Sequence, residues 1–350
     1  MIDRWKKTLI RPNQSIIDSL EILDKGAEHI AVIVDDDMTL QGIVTDGDVR
    51  RAILRGITLD RPVSEIMNAS PLTADARSTR AEVVRLMKKH QVLVMPLVSG
   101  KTLVGLETLL KNTEQRKYAN IVFLMAGGFG TRLRPLTDNC PKPMLTVGDK
   151  PILETVLTSF KKAGFYNFYI SLHYLPQMIM DHFGDGSKWD VNIQYVYEPT
   201  PLGTGGALGL LPDDIPELPV VVSNGDLLTQ VDFEQLIKFH DKHQADATMC
   251  VREYSYQVPF GVVTGDDNRI TECIEKPTYR HFVNAGIYVL AHDILGQVLK
   301  NAKMDMPVLF EKCIAQKKEV LMFPIHEYWL DIGRLDDFKK AQQDMLNMQF

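Results

Sequence analysis

The sequence predicts an α/β protein whose larger part is a doubly wound, mostly parallel sheet. From residue 119 onward, short apolar strands alternate with segments of helical periodicity, the pattern of strand-helix-strand units. Before that point, a smaller β-α-β-β pattern occurs twice, so a tandem module precedes the sheet. A chain of 350 residues can form two domains with separate cores.

Composition and charge favour a protein that handles small molecules. Apolar residues make up 45% of the chain and charged residues 24%, and the net charge of −6 argues against a nucleic-acid partner. No apolar run reaches the roughly 18–20 residues of a membrane span, and the N-terminus lacks a signal-peptide core. The four cysteines form no CxxC pair and are expected to be reduced. We expect a cytoplasmic protein without a membrane partner.

The first domain is predicted at residues 1–115, with two copies at about 8–63 and 64–115. An offset of 63 residues aligns Ser15 with Ser78 and Thr45 with Thr108. In each copy a helical segment (IIDSLEILDKG, then RAEVVRLMKKH) leads into an apolar strand (IAVIV, then VLVMPLV) and a second strand. The polar segment 111–120 is the expected linker to a second domain at 119–350.

The repeated unit resembles the CBS module, which works as a tandem pair with β-α-β-β-α order. In that family a T-x-x-D motif holds the ribose of a nucleotide, and the first copy has it as Thr45 and Asp48. The second copy keeps Thr108 but has Lys111 in place of the aspartate, and a lysine offers no acceptor. The resemblance implies one regulatory site for a purine nucleotide and a homo-oligomer. A pair that serves dimerisation only, with a vestigial pocket, is the alternative.

In the second domain, the alternation of strands and helices can be placed along the chain. The segment DKPILETVLTSFKKAG, for example, predicts a helix that starts near Asp149 and closes at Gly164. Strands are expected near 120–126, 167–172, 192–197, 219–223 and 246–251, and helices near 150–163, 175–183, 204–211 and 232–243.

A glycine-rich loop follows the first of these strands and reads AGGFGTRLRPLTDNCPKP. It matches neither the G-x-G-x-x-G nor the G-x-x-x-x-G-K-[ST] template, yet it suits a polyphosphate. Its glycines are expected to adopt positive φ and to turn successive N–H groups inward, namely Gly127, Gly128 and Gly130. Arg132 can fork two phosphate oxygens, and prolines on both sides position Lys142 as a point charge.

Two aspartates follow apolar stretches further along the chain. Asp226 ends the strand LPVVVSNGD, and Asp331 lies in YWLDIG. Ligands collect at the carboxyl ends of strands in open α/β sheets, and two carboxylates plus phosphate oxygens suit octahedral Mg²⁺. Either aspartate taken singly is more often a helix cap or turn residue. The two together, behind the glycine loop, predict a magnesium site.

The string G-G-x-G-T-R-L-x-P-L-T…P-K-P resembles the signature of the sugar-1-phosphate nucleotidylyltransferases, and the resemblance covers roughly residues 119–345. It implies a Rossmann-like nucleotidyltransferase domain with Mg²⁺ as cofactor, bound by Asp226 and Asp331, and catalytic roles for Arg132 and Lys142. The nucleotide-binding residues that it implies are Ala126, Gly127, Gly128, Gly130, Thr131, Glu198, Gly203 and Thr204. The sugar-phosphate-binding residues that it implies are Gly261, Glu275, Lys276 and Asn284.

The resemblance predicts Mg²⁺-dependent transfer of a nucleotidyl group from a nucleoside triphosphate to a sugar 1-phosphate. The run E-x-x-P-L-G-T-x-G-A looks most like guanylyl- and uridylyl-transferring members, so GTP is the expected substrate, although Gly205 replaces the commoner alanine. Small residues in this run are expected to let backbone groups read the edge of the base. The alternatives are a UTP- or CTP-using enzyme that acts on a sugar phosphate or phosphocholine, and a non-catalytic nucleotide sensor with the same fold.

Overall fold

The computed structural model describes residues 4–25, 29–109 and 117–347. The chain forms two compact units, Met1–Glu114 and Gln115–Phe350. None of the described helices has the length and apolar character needed to cross a membrane.

The first unit contains two copies of a β-α-β-β arrangement. In each copy the first strand pairs parallel with the second, and the third pairs antiparallel with the second. The strands are β1 (Leu9–Ile10), β2 (Ile30–Val34), β3 (Leu40–Thr45), β4 (Ala74–Asp75), β5 (Val94–Ser99) and β6 (Thr102–Thr108). The helices are α1 (Ile16–Lys25), α2 (Asp46–Leu54) and α3 (Arg80–His90), with 3-10 helices at Arg4–Thr8 and Val63–Glu65.

The predicted repeat is confirmed in this unit. The second strand of the first copy, β2, is buried along its whole length, as expected for its apolar run. In the second copy, α3 begins at a capping box: Thr79 Oγ1 accepts from the Glu82 N–H, and the Glu82 carboxylate accepts from the Thr79 N–H at 2.8 Å. Lys111 and most of the predicted linker lie outside the described residues.

The second unit is built on a seven-stranded sheet with the order β11-β10-β7-β12-β17-β14-β18. Its strands and the short strands around it are β7 (Tyr118–Met125), β8 (Thr146–Val147), β9 (Lys150–Pro151), β10 (Phe165–Leu172), β11 (Asn192–Tyr197), β12 (Val220–Asn224), β13 (Leu227–Thr229), β14 (Ala247–Gln257), β15 (Val262–Asp266), β16 (Arg269–Ile274), β17 (Thr278–Leu290), β18 (Val320–Ile325) and β19 (Trp329–Asp331). The mostly parallel prediction is confirmed, with β17 running antiparallel to both neighbours.

Helices cover both faces of this sheet, as the doubly wound prediction requires. They are α4 (Ile152–Lys162), α5 (Pro176–Phe183), α6 (Gly203–Gly206), α7 (Phe233–Lys242), α8 (His292–Leu295), α9 (Met306–Ala315) and α10 (Leu335–Asn347), with 3-10 helices at Thr131–Leu133, Lys142–Met144, Ser187–Trp189 and Ala207–Leu210. On β7, Val122 and Leu124 face the core that contains α4, α5 and α7, whereas Phe123 faces the core that contains α9. This alternation places two apolar layers against one sheet.

Some expected boundaries differ from those observed. Helix α4 begins at Ile152 rather than near Asp149, because residues 150–151 pair with residues 146–147 as a short hairpin. The helix expected at 204–211 is one short α-helix followed by a 3-10 turn. Strand β14 continues to Gln257 and forms, with β17, a two-stranded arm that carries the β15–β16 hairpin. The arm lacks a buried apolar run, which explains why the sequence pattern did not predict its outer strands.

Candidate active site at the carboxyl edge of the sheet

Asp226 lies directly beyond the carboxyl end of β12. The preceding Gly225 donates its N–H to the Met125 carbonyl at the end of β7, at 2.9 Å. A Cβ at position 225 would lie 2.7 Å from that carbonyl oxygen, so the close approach of the two strand ends requires glycine. The Asn-Gly-Asp sequence therefore holds the Asp226 side chain at the edge where β7 and β12 end.

Asp331 reaches the same edge through a separate ladder. Strand β19 pairs antiparallel with β13, so that Asp331 lies opposite Leu227, the residue after Asp226. The Ile332 N–H also donates to the Asp226 carbonyl at 3.2 Å. Backbone pairing thus brings together two carboxylates that are about a hundred residues apart in the sequence, and their expected proximity is observed.

Lys142 contributes the cation nearest to these carboxylates. Its side chain is buried, and its Nζ contacts Asp226 Oδ2 and lies 3.8 Å from Asp331 Oδ1. The lysine opens the 3-10 helix Lys142–Met144 directly after Pro141, which fixes the direction of the backbone there. Lys142 balances one of the two negative charges of the pair.

The acidic pair retains capacity for a further cation. Oδ1 of Asp226 and Oδ1 of Asp331 are shielded from solvent and accept no hydrogen bond from any residue in the described part of the chain. Burial and the charge of Asp226 raise the pKa of Asp331, while Lys142 and Arg132 act in the opposite direction. Two shielded carboxylate oxygens without donors fit a hard divalent ion such as Mg²⁺, which takes oxygen ligands.

The glycine loop joins this cluster at its last glycine. Gly130 has φ of 62°, and a Cβ there would lie 2.9 Å from both Lys142 Cβ and Thr137 Cγ2. A positive φ was expected at all three glycines. It is observed at Gly130, but the expectation was wrong for Gly127 and Gly128. Gly127 is needed for another reason: a Cβ there would lie 2.5 Å from Glu198 Oε1. Around a Cβ at Gly128, the described residues leave at least 4 Å of open space.

Arg132 extends from the 3-10 turn Thr131–Leu133 that follows the loop, and both Thr131 and Arg132 are exposed. A Cβ at Gly333 would lie 3.6 Å from Arg132 Nη1, so the guanidinium lies beside the chain two residues after Asp331. Within the described ranges the guanidinium has no hydrogen-bond or ion-pair partner. Arg132 is thus a free cation at the edge of the acidic pair.

Glu198 is buried at the end of β11 and organises the next loop. Its Oε2 accepts from the Leu202 N–H at 3.0 Å, and its carbonyl oxygen lies 2.8 Å from His173 Nδ1. Ala126, at the start of the glycine loop, donates its N–H to the Ser171 carbonyl at 3.2 Å and is also buried. The contact between His173 and the Glu198 carbonyl is a structural role that no sequence motif indicates.

The turn that starts at Gly203 is held by hydrogen bonds to residues 304–306. The Thr204 N–H donates to Asp305 Oδ1 at 3.1 Å, and Thr204 Oγ1 accepts from the Met306 N–H at 2.8 Å, so each helix start caps the other. The Gly205 and Gly206 N–H groups both donate to the Met304 carbonyl at 2.9 Å. These three N–H groups are used within the chain and are not available to a base. That backbone groups of this run read the base stays a prediction. The sequence Asp-Met-Pro at 305–307 is a helix-start signal, in agreement with the start of α9 at Met306.

The predicted sugar residues lie on the arm formed by β14 and β17. Glu275 and Lys276 are exposed, form an ion pair at 4.0 Å, and lie at the turn where Gly261 faces the Glu275 carboxylate. Lys276 has φ of 48°, a backbone conformation that a non-glycine residue rarely adopts. In the described part of the chain, neither side chain makes an ion pair or hydrogen bond with Asp226 or Asp331. Their sugar-phosphate role stays a prediction.

Asn284 lies at the base of the arm, where β17 bulges against β14. Its Oδ1 accepts from the Gly286 N–H at 2.9 Å, and its Nδ2 donates to the Tyr288 hydroxyl at 2.8 Å. The carboxamide therefore stabilises the bulge, and most of its hydrogen-bonding capacity is used locally.

The predicted regulatory motif lies at the start of α2 in the first unit. Asp48 Oδ2 accepts from the Thr45 N–H at 2.9 Å and from the Thr45 hydroxyl at 2.6 Å, while Oδ1 accepts from Arg51. A groove of about 190 Å³ adjoins this motif, and its lining includes Asp48, Arg51 and Arg55. Two arginines beside the carboxylate give this groove the charge to hold an anionic ligand.

A mostly parallel α/β sheet with a glycine loop, two cations and paired carboxylates at its carboxyl edge is typical of proteins that bind phosphorylated ligands. The chain belongs to the nucleotidyl transferase family, whose sequence model matches residues 121–348. The CBS domain model matches residues 7–55 and 63–106.

Individual relatives agree with this membership. Mannose-1-phosphate guanylyltransferase of Mycobacterium tuberculosis is 32% identical over 230 residues, which are 64% of this chain and 64% of the relative. The chain thus spans less than two thirds of the curated relatives that it matches first. The structure of HddC from Yersinia pseudotuberculosis is 26% identical with a TM-score of 0.51, over 64% of this chain and 99% of that one, and it has also been solved with GMP-PN. A putative glucose-1-phosphate thymidylyltransferase from Bacillus anthracis, at 21% identity, TM-score 0.54 and coverage of 66% and 97%, shares the fold.

Proposed function

We propose that this chain transfers a nucleotidyl group from a nucleoside triphosphate to a sugar 1-phosphate, and that the reaction requires Mg²⁺. The proposed triphosphate is GTP. The observation that carries the proposal is the cluster of Asp226, Asp331 and Lys142, with the free guanidinium of Arg132 beside it. Both reactants are anions, so a site for this reaction needs positive charge at the phosphates and ligands for a divalent ion. Membership of the nucleotidyl transferase family supports the same reaction.

The proposed reaction is an in-line displacement. An oxygen of the sugar 1-phosphate attacks the α-phosphorus, a P–O bond forms, and the bond from the α-phosphorus to the bridging oxygen breaks as pyrophosphate leaves. The attacking phosphate is already ionised at neutral pH, so no general base is required. When bound at Asp226 and Asp331, Mg²⁺ would supply positive charge and coordination positions for phosphate oxygens.

The chain's own cations have separate tasks in this proposal. Arg132 is exposed and unpaired within the described residues, so it can fork two oxygens of the departing pyrophosphate. Lys142 is held by the acidic pair. With a divalent ion bound at the carboxylates, its ammonium would be available to contact a phosphate. Gly130 keeps the loop backbone against Lys142 and so couples the phosphate loop to the carboxylates.

GTP is the proposed nucleotide because of the buried carboxylate of Glu198. A carboxylate only accepts hydrogen bonds, and one oxygen is used by the Leu202 N–H, while Oε1 lies beside Gly127 at the start of the loop. Guanine presents two adjacent donors, N1–H and N2–H₂, which match such an acceptor, whereas uracil and thymine present carbonyl oxygens on either side of one N–H. The guanylyltransferase relatives and the GMP-PN complex of HddC support the same choice.

One assay tests this proposal. The purified chain would be incubated with each of the four nucleoside triphosphates, a panel of sugar 1-phosphates and Mg²⁺, and the released pyrophosphate measured. We expect release with GTP, led by mannose 1-phosphate, and none after chelation with EDTA. Phosphocholine in place of the sugar tests the alternative acceptor. Silence with every pair would contradict an enzyme and favour a nucleotide sensor.

We further propose that the CBS pair binds a purine nucleotide at Thr45 and Asp48 and regulates the transferase. The adjoining groove, with Arg51 and Arg55, is suited to the phosphates of such a ligand. Calorimetry with ATP and GTP should detect a site in the full chain that Asp48→Ala weakens by about 10-fold or more, as expected when a charged acceptor is lost. Identical binding by Asp48→Ala would favour a pair that serves self-association only, which light scattering would measure as a homo-oligomer.

A further inference from the structure

A second carboxamide, that of Asn224, lies at the carboxyl edge of the sheet where β12 ends. Asn224 is the last residue of β12, two positions before Asp226, and its backbone is in register with Met125 of β7, the residue before the glycine loop. It therefore occupies the strand end between the phosphate loop and β17. Its side chain is half-buried.

Gly286 provides the space for this side chain. Gly286 has φ of 73°, and a Cβ there would lie 2.6 Å from Asn224 Nδ2 and 2.9 Å from Asn224 Cγ. A residue with a side chain at position 286 would displace the carboxamide, so the bulge of β17 and the glycine together hold Asn224 against the base of the arm.

The side chain of Asn224 has no hydrogen-bond partner among the described residues, in contrast with that of Asn284. Asn284 donates to Tyr288 and accepts from the Gly286 N–H. Within the residues that the structure describes, the Asn224 carboxamide makes no hydrogen bond. It offers one acceptor and two donors at the end of β12, two residues before Asp226, where a ligand could use them.

We propose that the Asn224 carboxamide recognises one hydroxyl group of a substrate sugar and so helps to determine which sugar the site accepts. A neutral group that both donates and accepts matches a hydroxyl, which does the same, whereas phosphates are better matched by the cations Arg132 and Lys142 nearby. The inference rests on the proposed function, because both substrates of that reaction carry a sugar, the ribose of the nucleotide and the sugar of the 1-phosphate.

The test removes hydroxyl groups from the ligand and the carboxamide from the protein in parallel. Calorimetry would give the Kd of the full chain for GTP and its 2′-deoxy and 3′-deoxy forms, and for mannose 1-phosphate and its singly deoxygenated forms, each with Mg²⁺. In the wild type, one deoxygenation should weaken binding by about 3- to 10-fold, the loss of one neutral hydrogen bond. In Asn224→Ala that same deoxygenation should have no effect, and the ligand concerned identifies which sugar is contacted.

Two further variants keep the result interpretable. Asn224→Asp retains the shape and an acceptor but not the donors, so it should weaken the fully hydroxylated ligand and not unfold the chain. Asn192→Ala, on the exposed start of β11, is the control and should retain every wild-type ratio. If Asn224→Ala keeps all deoxygenation ratios of the wild type while pyrophosphate release persists, the role of Asn224 is overturned and the proposed function stands. If the wild type neither binds nor turns over any pair, both are overturned.

Discussion

At the scale of single residues, the charges of the site are distributed between two roles. Lys142 is buried and neutralises part of the acidic pair before any substrate arrives, which lets two carboxylates lie side by side. Arg132 is exposed and makes no hydrogen bond or ion pair with the described residues, so its charge is available to a ligand. In the proposed reaction both cations would contact phosphates, but Lys142 first has to leave the carboxylates that it neutralises, whereas Arg132 is available from the start.

Replacement of Arg132 tests this division. Arg132→Ala should lower the rate of pyrophosphate release by about 10²–10³, since it removes one donor to developing charge, and should leave the unfolding temperature unchanged. Arg134→Ala is the matched control: Arg134 is also exposed and forms a surface ion pair with Asp138 at 3.4 Å. Equal losses in the two variants would argue that the loop's overall charge matters and that the position of Arg132 does not.

The base preference belongs to the same scale. Glu198→Gln keeps an acceptor for the Leu202 N–H but adds a donor and removes the charge. We expect kcat/KM for GTP to fall by about 10- to 100-fold, the range for hydrogen bonds to charged groups, and the ratio of UTP to GTP activity to rise. Steady-state assays with both nucleotides measure this, and Glu217→Gln, at an exposed position, is the control. An unchanged GTP preference in Glu198→Gln would show that other groups read the base.

At the scale of elements, the glycine loop shows what its sequence could and could not predict. The run of glycines correctly indicated a tight path, yet Gly127 and Gly130 are required for different reasons. Gly130 needs its left-handed backbone, and Gly127 needs room for Glu198, a residue that lies 71 positions away in the sequence. Local patterns report backbone freedom, whereas a close approach between distant segments is set by tertiary packing.

The loop offers a matched pair of substitutions. Gly130→Ala combines a positive φ with a Cβ 2.9 Å from Lys142, so it should destabilise the chain by about 1–2 kcal/mol and displace the lysine from Asp226. Gly128→Ala has an ordinary φ and at least 4 Å of open space to the described residues, so it should fold as the wild type does. Denaturant unfolding and pyrophosphate release would be measured on both. Loss of activity by Gly128→Ala at unchanged stability would place a phosphate against that residue.

At the scale of the whole molecule, the order of strands and helices was predictable because buried strands and amphipathic helices have distinct periods. The expected edge location of Asp226 and Asp331 followed from the strand-end rule and is observed. The arm from Val251 to Asn284 was not predictable, because its exposed strands carry no apolar period. The hydrogen bond from the Thr204 N–H to Asp305 could not be predicted from the sequence either, because it joins two helix starts that are 101 residues apart.

The stability of the second unit should depend on pH through His240. This residue is 2% exposed, lies 2.9 Å from Thr248 Oγ1 through Nδ1, and burial lowers its pKa to about 4, with Asp246 acting in the opposite direction. In the unfolded chain the pKa is about 6.5, so between these values the unfolded state binds the additional proton. The free energy of unfolding is therefore unaffected by the titration of His240 above pH 6.5. It decreases as the pH falls toward 4, by about 3 kcal/mol in total.

Urea unfolding at a series of pH values from 4.5 to 7.5 measures this dependence. His240→Gln cannot titrate, so its free energy of unfolding should fall less steeply below pH 6.5 than that of the wild type, even if the loss of the Thr248 contact lowers it at neutral pH. His243→Gln retains His240 and should keep the wild-type slope, because His243 is exposed one turn further along the chain. Parallel curves for the wild type and His240→Gln would contradict a buried neutral imidazole.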